Sequence, residues 1–298
     1  MSRTHDKHHF YKYMSVETAL KVITNQSLRW SSPLKFNDPF DHQIGFTFEF
    51  GGSEVGQAVY REMERIVFGG KNGFQEPSSL TQLALRLQSI ADRLPKDSIL
   101  EDFADAAQEI ADNFQHHVAR LHAGIQERLT HSRVLCISER NDNVVMWSHY
   151  AEEHRGVVIK LRCIDELDNT LLAARKVHYS RQFPMFPSLE EYVRHLTGEE
   201  PLNLTALSWD MAFTKHSDWA YEKEWRVHMP LLNEPPGDGY TLLKEHPSVF
   251  GAVYLGCRMT DEDRGRVLAA VEEHIPHARA FQAKRSDSSF DIAFEASD

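Results

Sequence analysis

Cysteine is scarce in this chain of 298 residues: there are 3, Cys136, Cys163 and Cys257, far apart and odd in number. That count excludes a disulfide framework and offers no zinc spacing, and it predicts reduced, mostly buried thiols in a cytoplasmic protein. Long apolar runs are missing too. No stretch reaches the length that a bilayer-crossing helix needs, and the polar start, Met1 to His9, lacks the pattern of a signal peptide. Positive charge is in deficit, with 33 Lys and Arg against 44 Asp and Glu, a formal charge of −11. Such a balance argues against a broad, non-specific grip on phosphate backbone, while leaving room for a local basic groove. The Walker loop, the Gly-x-Gly-x-x-Gly fingerprint and the Gly-x-Ser-x-Gly elbow are all absent. Kinase, Rossmann dehydrogenase and α/β-hydrolase readings therefore have no support. What is present is an ordinary globular composition, 41% hydrophobic and 26% charged,.

Apolar spacing predicts a helix from Val16 to Ser27 behind the capping Ser15, then a short strand, Leu28 to Ser31, ended by Pro33. Asn37-Asp38-Pro39 reads as a turn. Ile44 to Phe50, with Ile44, Phe46, Phe48 and Phe50 on one face, reads as a half-buried strand. From about residue 53 to 131 the pattern becomes helical: Val55 to Val67, Leu80 to Leu94, then Leu100 to Ile125 stepping by three and four. This insertion is either a homodimer or partner-binding arm, or a cover packed on the sheet. Later segments are strand-rich: Arg133–Ser138, Val157–Leu161, Ala174–Tyr179, Glu224–Met229 and Ala252–Leu255. Helices are expected at Leu202–Lys215 and Asp261–Glu273, and an edge strand at Ser286–Ala293. The expectation is one α+β domain, residues 1–298, with a helical insertion,.

Trp147-Ser148-His149-Tyr150 stands shortly before Gly156 and the apolar run Val157 to Leu161. Hydrogen-bonding aromatics that feed a central strand suit a pocket for a polar, planar ligand. The plainer alternative makes Trp147 and Tyr150 core residues with satisfied polar tips. If Tyr221 to Met229 is a strand, Glu222, Glu224, Arg226 and His228 share the face turned to solvent or a cleft, and form a catalytic row. As a helix, the same stretch reduces Glu222 and Arg226 to a surface ion pair worth very little. Asp38 and Asp41 with Glu222 and Glu224 would instead suit a two-metal nuclease or phosphodiesterase, although no metal framework of His or Cys accompanies them.

Four stretches together resemble a bacterial family catalogued as domain of unknown function 2971. They are Phe10-Tyr11-Lys12-Tyr13, Asn37-Asp38-Pro39-Phe40 followed by Asp41, Trp147 to Tyr150, and Tyr221-Glu222-Lys223-Glu224-Trp225-Arg226. The likeness runs nearly end to end, with a weak middle between about Gly51 and Ser132. Lys223-Glu224-Trp225-Arg226-Val227 is also similar to the strand that bears the essential glutamate of ADP-ribosyltransferases, above all the DNA-modifying bacterial toxins. The order of parts agrees: Tyr11-Lys12-Tyr13 for the first strand, Trp147 to Tyr150 for a middle one, and Glu224 late.

The second resemblance implies an ADP-ribosyltransferase-like split mixed β-sheet. It also implies a metal-free enzyme with NAD as substrate that transfers ADP-ribose to a macromolecular acceptor, nucleic acid or protein. Service in toxin or antiviral defence would follow, with an antitoxin as a further partner for the helical insertion. In that reading Glu224 stabilises oxocarbenium character as the nicotinamide–ribose bond breaks. Trp147 and Tyr150, then Tyr13, wall the nicotinamide; Lys12 meets a phosphate or ribose oxygen; Ser148 and Asn37 complete the cofactor-binding set. His149 or Glu222 orients the acceptor or removes its proton. The chain departs from that pattern in showing Lys and Tyr for the usual Arg or His, and in lacking a Ser-Thr-Ser run. A non-catalytic nucleotide-binding interaction domain is the remaining alternative to this enzyme and to the metal nuclease.

Overall fold

The computed structural model describes residues 3–42, 46–186, 188–231 and 237–297. In chain order the elements are β1 (His9–Met14), α1 (Val16–Asn25), β2 (Ser27–Ser31), α2 (Gly52–Gly69), α3 (Ser79–Gln88), α4 (Lys96–Asp112) and α5 (Phe114–Thr130). Next come β3 (Ser132–Ser138), α6 (Val144–Tyr150), β4 (Val157–Arg162), β5 (Arg175–Lys176), β6 (His178–Ser180), α7 (Leu189–Thr197) and α8 (Leu204–Ala212). The chain closes with β7 (Thr214–His216), β8 (Glu224–Pro230), β9 (Tyr240–Lys244), β10 (Phe250–Leu255), α9 (Asp261–His274), β11 (Arg279–Arg285) and β12 (Ile292–Ala296). They form two compact units: Met1–Gln43 with Arg128–Gln182 and Ala212–Asp298, and Ile44–Glu127 with Phe183–Met211. No helix among the described residues is long and apolar enough to cross a membrane.

The first unit is built on a mixed sheet in the order β12-β11-β10-β4-β1-β3-β2-β9, with β8 joined to β3 and to β5. Alternation along β4 explains its two faces. Val157, Ile159 and Leu161 join Phe10, α1 and α9 in one buried cluster, while Val158 joins Tyr11, Tyr13, Trp147 and Tyr254 in the other. Ser15 caps α1 by accepting from the Thr18 amide, as its position before the apolar spacing predicts,.

The sheet is interrupted where β1, β2 and β3 join. β3 pairs with β8 along its full length, from Ser132↔Pro230 to Ser138↔Glu224. Its other edge meets β1 at Tyr11↔Ser138 and β2 at Ser31↔Val134. Between those two points that edge of β3 has no strand partner among the described residues, and a buried carbonyl there needs a donor,. Lys12 supplies one: its Nζ donates to the Cys136 carbonyl at 2.6 Å.

The second unit is helical. Gly56 lets α2 approach α4 closely, since a Cβ there would stand 2.8 Å from the Ala107 carbonyl oxygen. Beside that helix pair lies an aromatic cluster in which Phe48 stacks on Phe186 at 4.5 Å and Phe114 meets Tyr192 edge-on.

Several sequence expectations need correction. Ile44 to Phe50 forms no strand among the described residues, only a bridge between Thr47 and Met185; Ile44 itself lies outside them. The aromatic cluster, not a sheet, takes up Phe46, Phe48 and Phe50. The long periodic stretch from Leu100 divides into α4 and α5 around Asn113. Leu202–Lys215 splits into α8 and β7, because Tyr179↔Lys215 pairing recruits its end as a strand. Ala174–Tyr179 is two short strands, and the edge strand near the C-terminus lies at Ile292–Ala296.

Candidate functional site

A cavity of about 500 Å³ opens where β1 and β2 part along β3. Met14, Leu28 and Val134 give it an apolar wall, Arg29 and Lys35 carry positive charge at its lining, and Lys12, Asn37, Tyr150, Lys215, Glu222 and Glu224 provide polar groups. Of the nine site residues expected from sequence, Lys12, Tyr13, Asn37, Tyr150, Glu222 and Glu224 therefore reach one hollow.

Trp147, Ser148 and His149 do not line it. The Trp-Ser-His-Tyr segment is a helix, not a middle strand: the Asn143 side chain accepts from the Met146 amide and starts α6,. Helical spacing then turns Trp147 into the core, fully buried, with its Nε1 donating to the Asn141 carbonyl at 2.7 Å. Trp147 is thus a core aromatic with a satisfied polar tip, the plainer of its two readings. Ser148 meets the Nε2 of His154 at 3.0 Å, and the exposed His149 meets the Tyr221 hydroxyl at 3.1 Å. Tyr13 has its hydroxyl engaged as well, donating to the Arg140 carbonyl.

The charged row is arranged otherwise than alternation from Tyr221 suggests. Ser217–Glu222 is a 3₁₀ helix, Lys223 takes φ 47°, and the strand begins only at Glu224. Nor do the charges face solvent. Glu222, Glu224 and Arg226 are 3%, 5% and 0% exposed, which is tolerable only if each charge finds a partner,.

Those partners come from far along the chain. Arg226 donates through Nε to Glu224 Oε1 at 2.8 Å and through Nη2 to Glu224 Oε2 at 3.0 Å. Its Nη1 and Nη2 also donate to the two Asp41 oxygens, at 2.9 and 2.6 Å, and Nη1 to the Ala212 carbonyl. Lys215 bridges the glutamates, 2.5 Å from Glu222 Oε2 and 3.1 Å from Glu224 Oε2. Tyr150 donates its hydroxyl to Glu222 Oε1 at 2.6 Å. The Tyr179 hydroxyl accepts from the Glu224 amide.

Three carboxylates thus share two cations, and their environments separate them. Burial and the Glu224 charge lift the Glu222 carboxyl above the ordinary carboxylate range, against the pull of Lys215. For Glu224, burial alone would raise the value, but Arg226 and Lys215 outweigh it and hold the acid well below that range. Asp41 is likewise held down, by Arg226 and His42 against burial. Lys215 is raised because Glu224 and Glu222 outweigh its burial, and burial beside Glu222 raises the Tyr150 phenol. Of the two glutamates, Glu222 is thus the one that holds a proton more readily, and Glu224 the one kept ionised,.

Sequence reasoning did not single out Lys215, Tyr179 or Cys136 for this site. The alternation Phe213-Thr214-Lys215-His216 was the one local sign that Lys215 leaves the preceding helix. The carboxylates offer poor purchase for a divalent ion. Asp41, Glu222 and Glu224 already neutralise Arg226 and Lys215, while Asp38 Oδ1 accepts from the Phe40 amide in the expected turn. No group of three or more His, Cys, Asp or Glu among the described residues is placed to hold a metal.

No curated protein and no solved structure matches this chain. One family does match, over residues 146–227, the stretch that carries Tyr150, Tyr179, Lys215, both glutamates and Arg226. Over that stretch the chain is similar to the family described as protein of unknown function (DUF2971).

Proposed function

We propose that the cavity binds NAD and that the chain is an ADP-ribosyltransferase-like enzyme, passing ADP-ribose to a macromolecular acceptor. The observation that carries this reading is the convergence of Glu224, Glu222, Tyr150 and Lys12 on one hollow at the parting of β1 and β2. Its volume falls within the range for small-molecule sites, and its mix of apolar wall, carboxylates and cations matches a ligand with bases, riboses and phosphates,.

In the reaction the bond between ribose C1′ and the nicotinamide nitrogen breaks, and its electron pair leaves with nicotinamide. Positive charge grows on the ribose, which a fixed carboxylate stabilises more in the transition state than in the ground state. Glu224, locked by Arg226 and Lys215, is a preorganised anion for that purpose. The acceptor nucleophile then bonds to C1′ and gives up a proton. Glu222, with its raised pKa, takes that proton, a role for which His149 stands outside the cavity,. Lys12 keeps N–H groups beyond its bond to Cys136 for a phosphate,.

Calorimetry with NAD and chromatographic detection of nicotinamide test the reading. Glu222→Gln and Glu224→Gln should each lower nicotinamide release by about a hundredfold or more. Unchanged release in both, or no NAD binding by the unaltered chain, ends the proposal. One observation favours a second reading, a nucleotide-binding domain without turnover: both oxygens of Glu224 are already spent on cations. NAD binding with no nicotinamide release selects it.

A further inference from the structure

A second concavity, of about 400 Å³, lies on the sheet face that carries Tyr11, Val158 and Tyr254. His9, Lys160, Arg162 and Arg279 line it, over Tyr254 and Phe281, whose rings stack at 5.1 Å. The register explains the cluster. His9 pairs with Arg162, and Ala252 pairs with both Lys160 and Arg279, so the four basic residues occupy neighbouring positions on β1, β4 and β11 around β10. Arg162 and Arg279 are exposed, Arg279 reaching over the Phe281 ring at 5.1 Å.

No carboxylate lines this hollow, and among the described residues neither Lys160, Arg162 nor Arg279 is held in an ion pair. Like charges on adjacent strands repel. In a chain of formal charge −11, three cations left without acidic partners on one face are a local reversal of sign. His9 registers the resulting field, its pKa lowered by burial and then by Lys160. A single small anion would not answer the whole cluster: β4 and β11 are two strand spacings apart, roughly 10 Å. Several linked phosphates would. The recessed aromatic pair favours a base free to leave its stack, which a single strand offers and a duplex does not.

We propose that this face of the sheet binds single-stranded nucleic acid, with phosphates on Lys160, Arg162 and Arg279 and a base against Phe281. Binding there is independent of NAD; that the bound strand is also the acceptor rests on the proposed transferase activity.

Fluorescence anisotropy tests it with a labelled, mixed-sequence single-stranded DNA of about twelve nucleotides, in the absence of NAD. The expected slope of log affinity against log salt is about −2, for three phosphate contacts on a single strand. R162E/R279E should weaken binding at least about tenfold, and R162Q/R279Q should flatten the slope by about 1.4. Both arginines are exposed, so circular dichroism should be unchanged, and nicotinamide release measured in parallel separates this site from the NAD cavity. Equal binding by both variants, a duplex bound as tightly as the single strand, or no binding by the unaltered chain would overturn the assignment.

Discussion

The cavity wall of the first unit and the aromatic core of the second both exclude water, with opposite materials. In the second unit Phe48, Phe50, Phe114 and Phe186 lose hydration with no polar side-chain atom to desolvate, Tyr192 alone burying a hydroxyl, and their edge-on and stacked contacts add modestly to burial,. In the first, five charged side chains are desolvated against one another, an arrangement that well-packed apolar residues would often match or exceed in stability. The proposed transferase activity draws on that charged wall and on nothing in the aromatic cluster.

The comparison is most easily broken at Arg226. Arg226→Leu leaves Asp41 and Glu224 buried with Lys215 as their shared cation, and should cost about 4 kcal/mol of unfolding free energy in urea titration,. Phe114→Ala in the other region should cost about 3 kcal/mol through cavity formation alone, and leave NAD binding as it was,. Comparable stability losses, with NAD binding weakened in the Arg226 variant alone, are the expected signature. Loss of NAD binding in the Phe114 variant would erase the distinction.

A third measurement uses pH. Burial, then His42 and Arg226, lowers His228 to about 4 from 6.5. Between these values the unfolded chain binds the proton and the folded chain does not, so stability should fall by about 3 kcal/mol as pH drops from 6.5 to 4. Glu224 and Asp41, both depressed, extend the loss below the ordinary carboxylate range. His228→Gln should flatten the upper part of the curve; an unaltered slope between pH 6.5 and 4 would assign the loss to other groups.

Legibility in the sequence tracked the range of the interactions involved. α1 was readable because Ser15 and the spacing of Val16, Ala19 and Ile23 act within ten residues, and β4 because its apolar run is contiguous. The cap that makes α6 a helix is also local, Asn143 standing three residues before Met146, but Trp147 and Tyr150 are residue types that favour strands as well. The ion pairs of the site were not readable. Asp41 is 185 positions from Arg226, and nothing near either residue announces the other. Alternation correctly put Glu224 and Arg226 on one face of β8, but it could not say whether that face meets water or a counter-charge. The hollow itself arises from strand pairings that stop, Tyr11↔Ser138 and Ser31↔Val134, and a pairing that stops leaves no residue pattern.

The smallest expected change in stability is at Glu222, and it separates structural from chemical roles most cleanly. Its carboxyl is raised by burial and by Glu224, so the folded chain holds a proton that the unfolded chain releases. Stability from this group is full below the ordinary glutamate pKa and declines as pH rises through the folded value. Glu222→Gln removes the charge and keeps an oxygen for the Tyr150 hydroxyl, while Lys215 retains Glu224 and Asp41. Unfolding free energy at pH 7 should therefore change by no more than about 1 kcal/mol, in either direction. Nicotinamide release should nevertheless collapse, and the alkaline-going decline in stability should disappear. A variant that loses several kcal/mol would make Glu222 a prop for Lys215, and the proton-accepting role would have to pass to another group in the cavity.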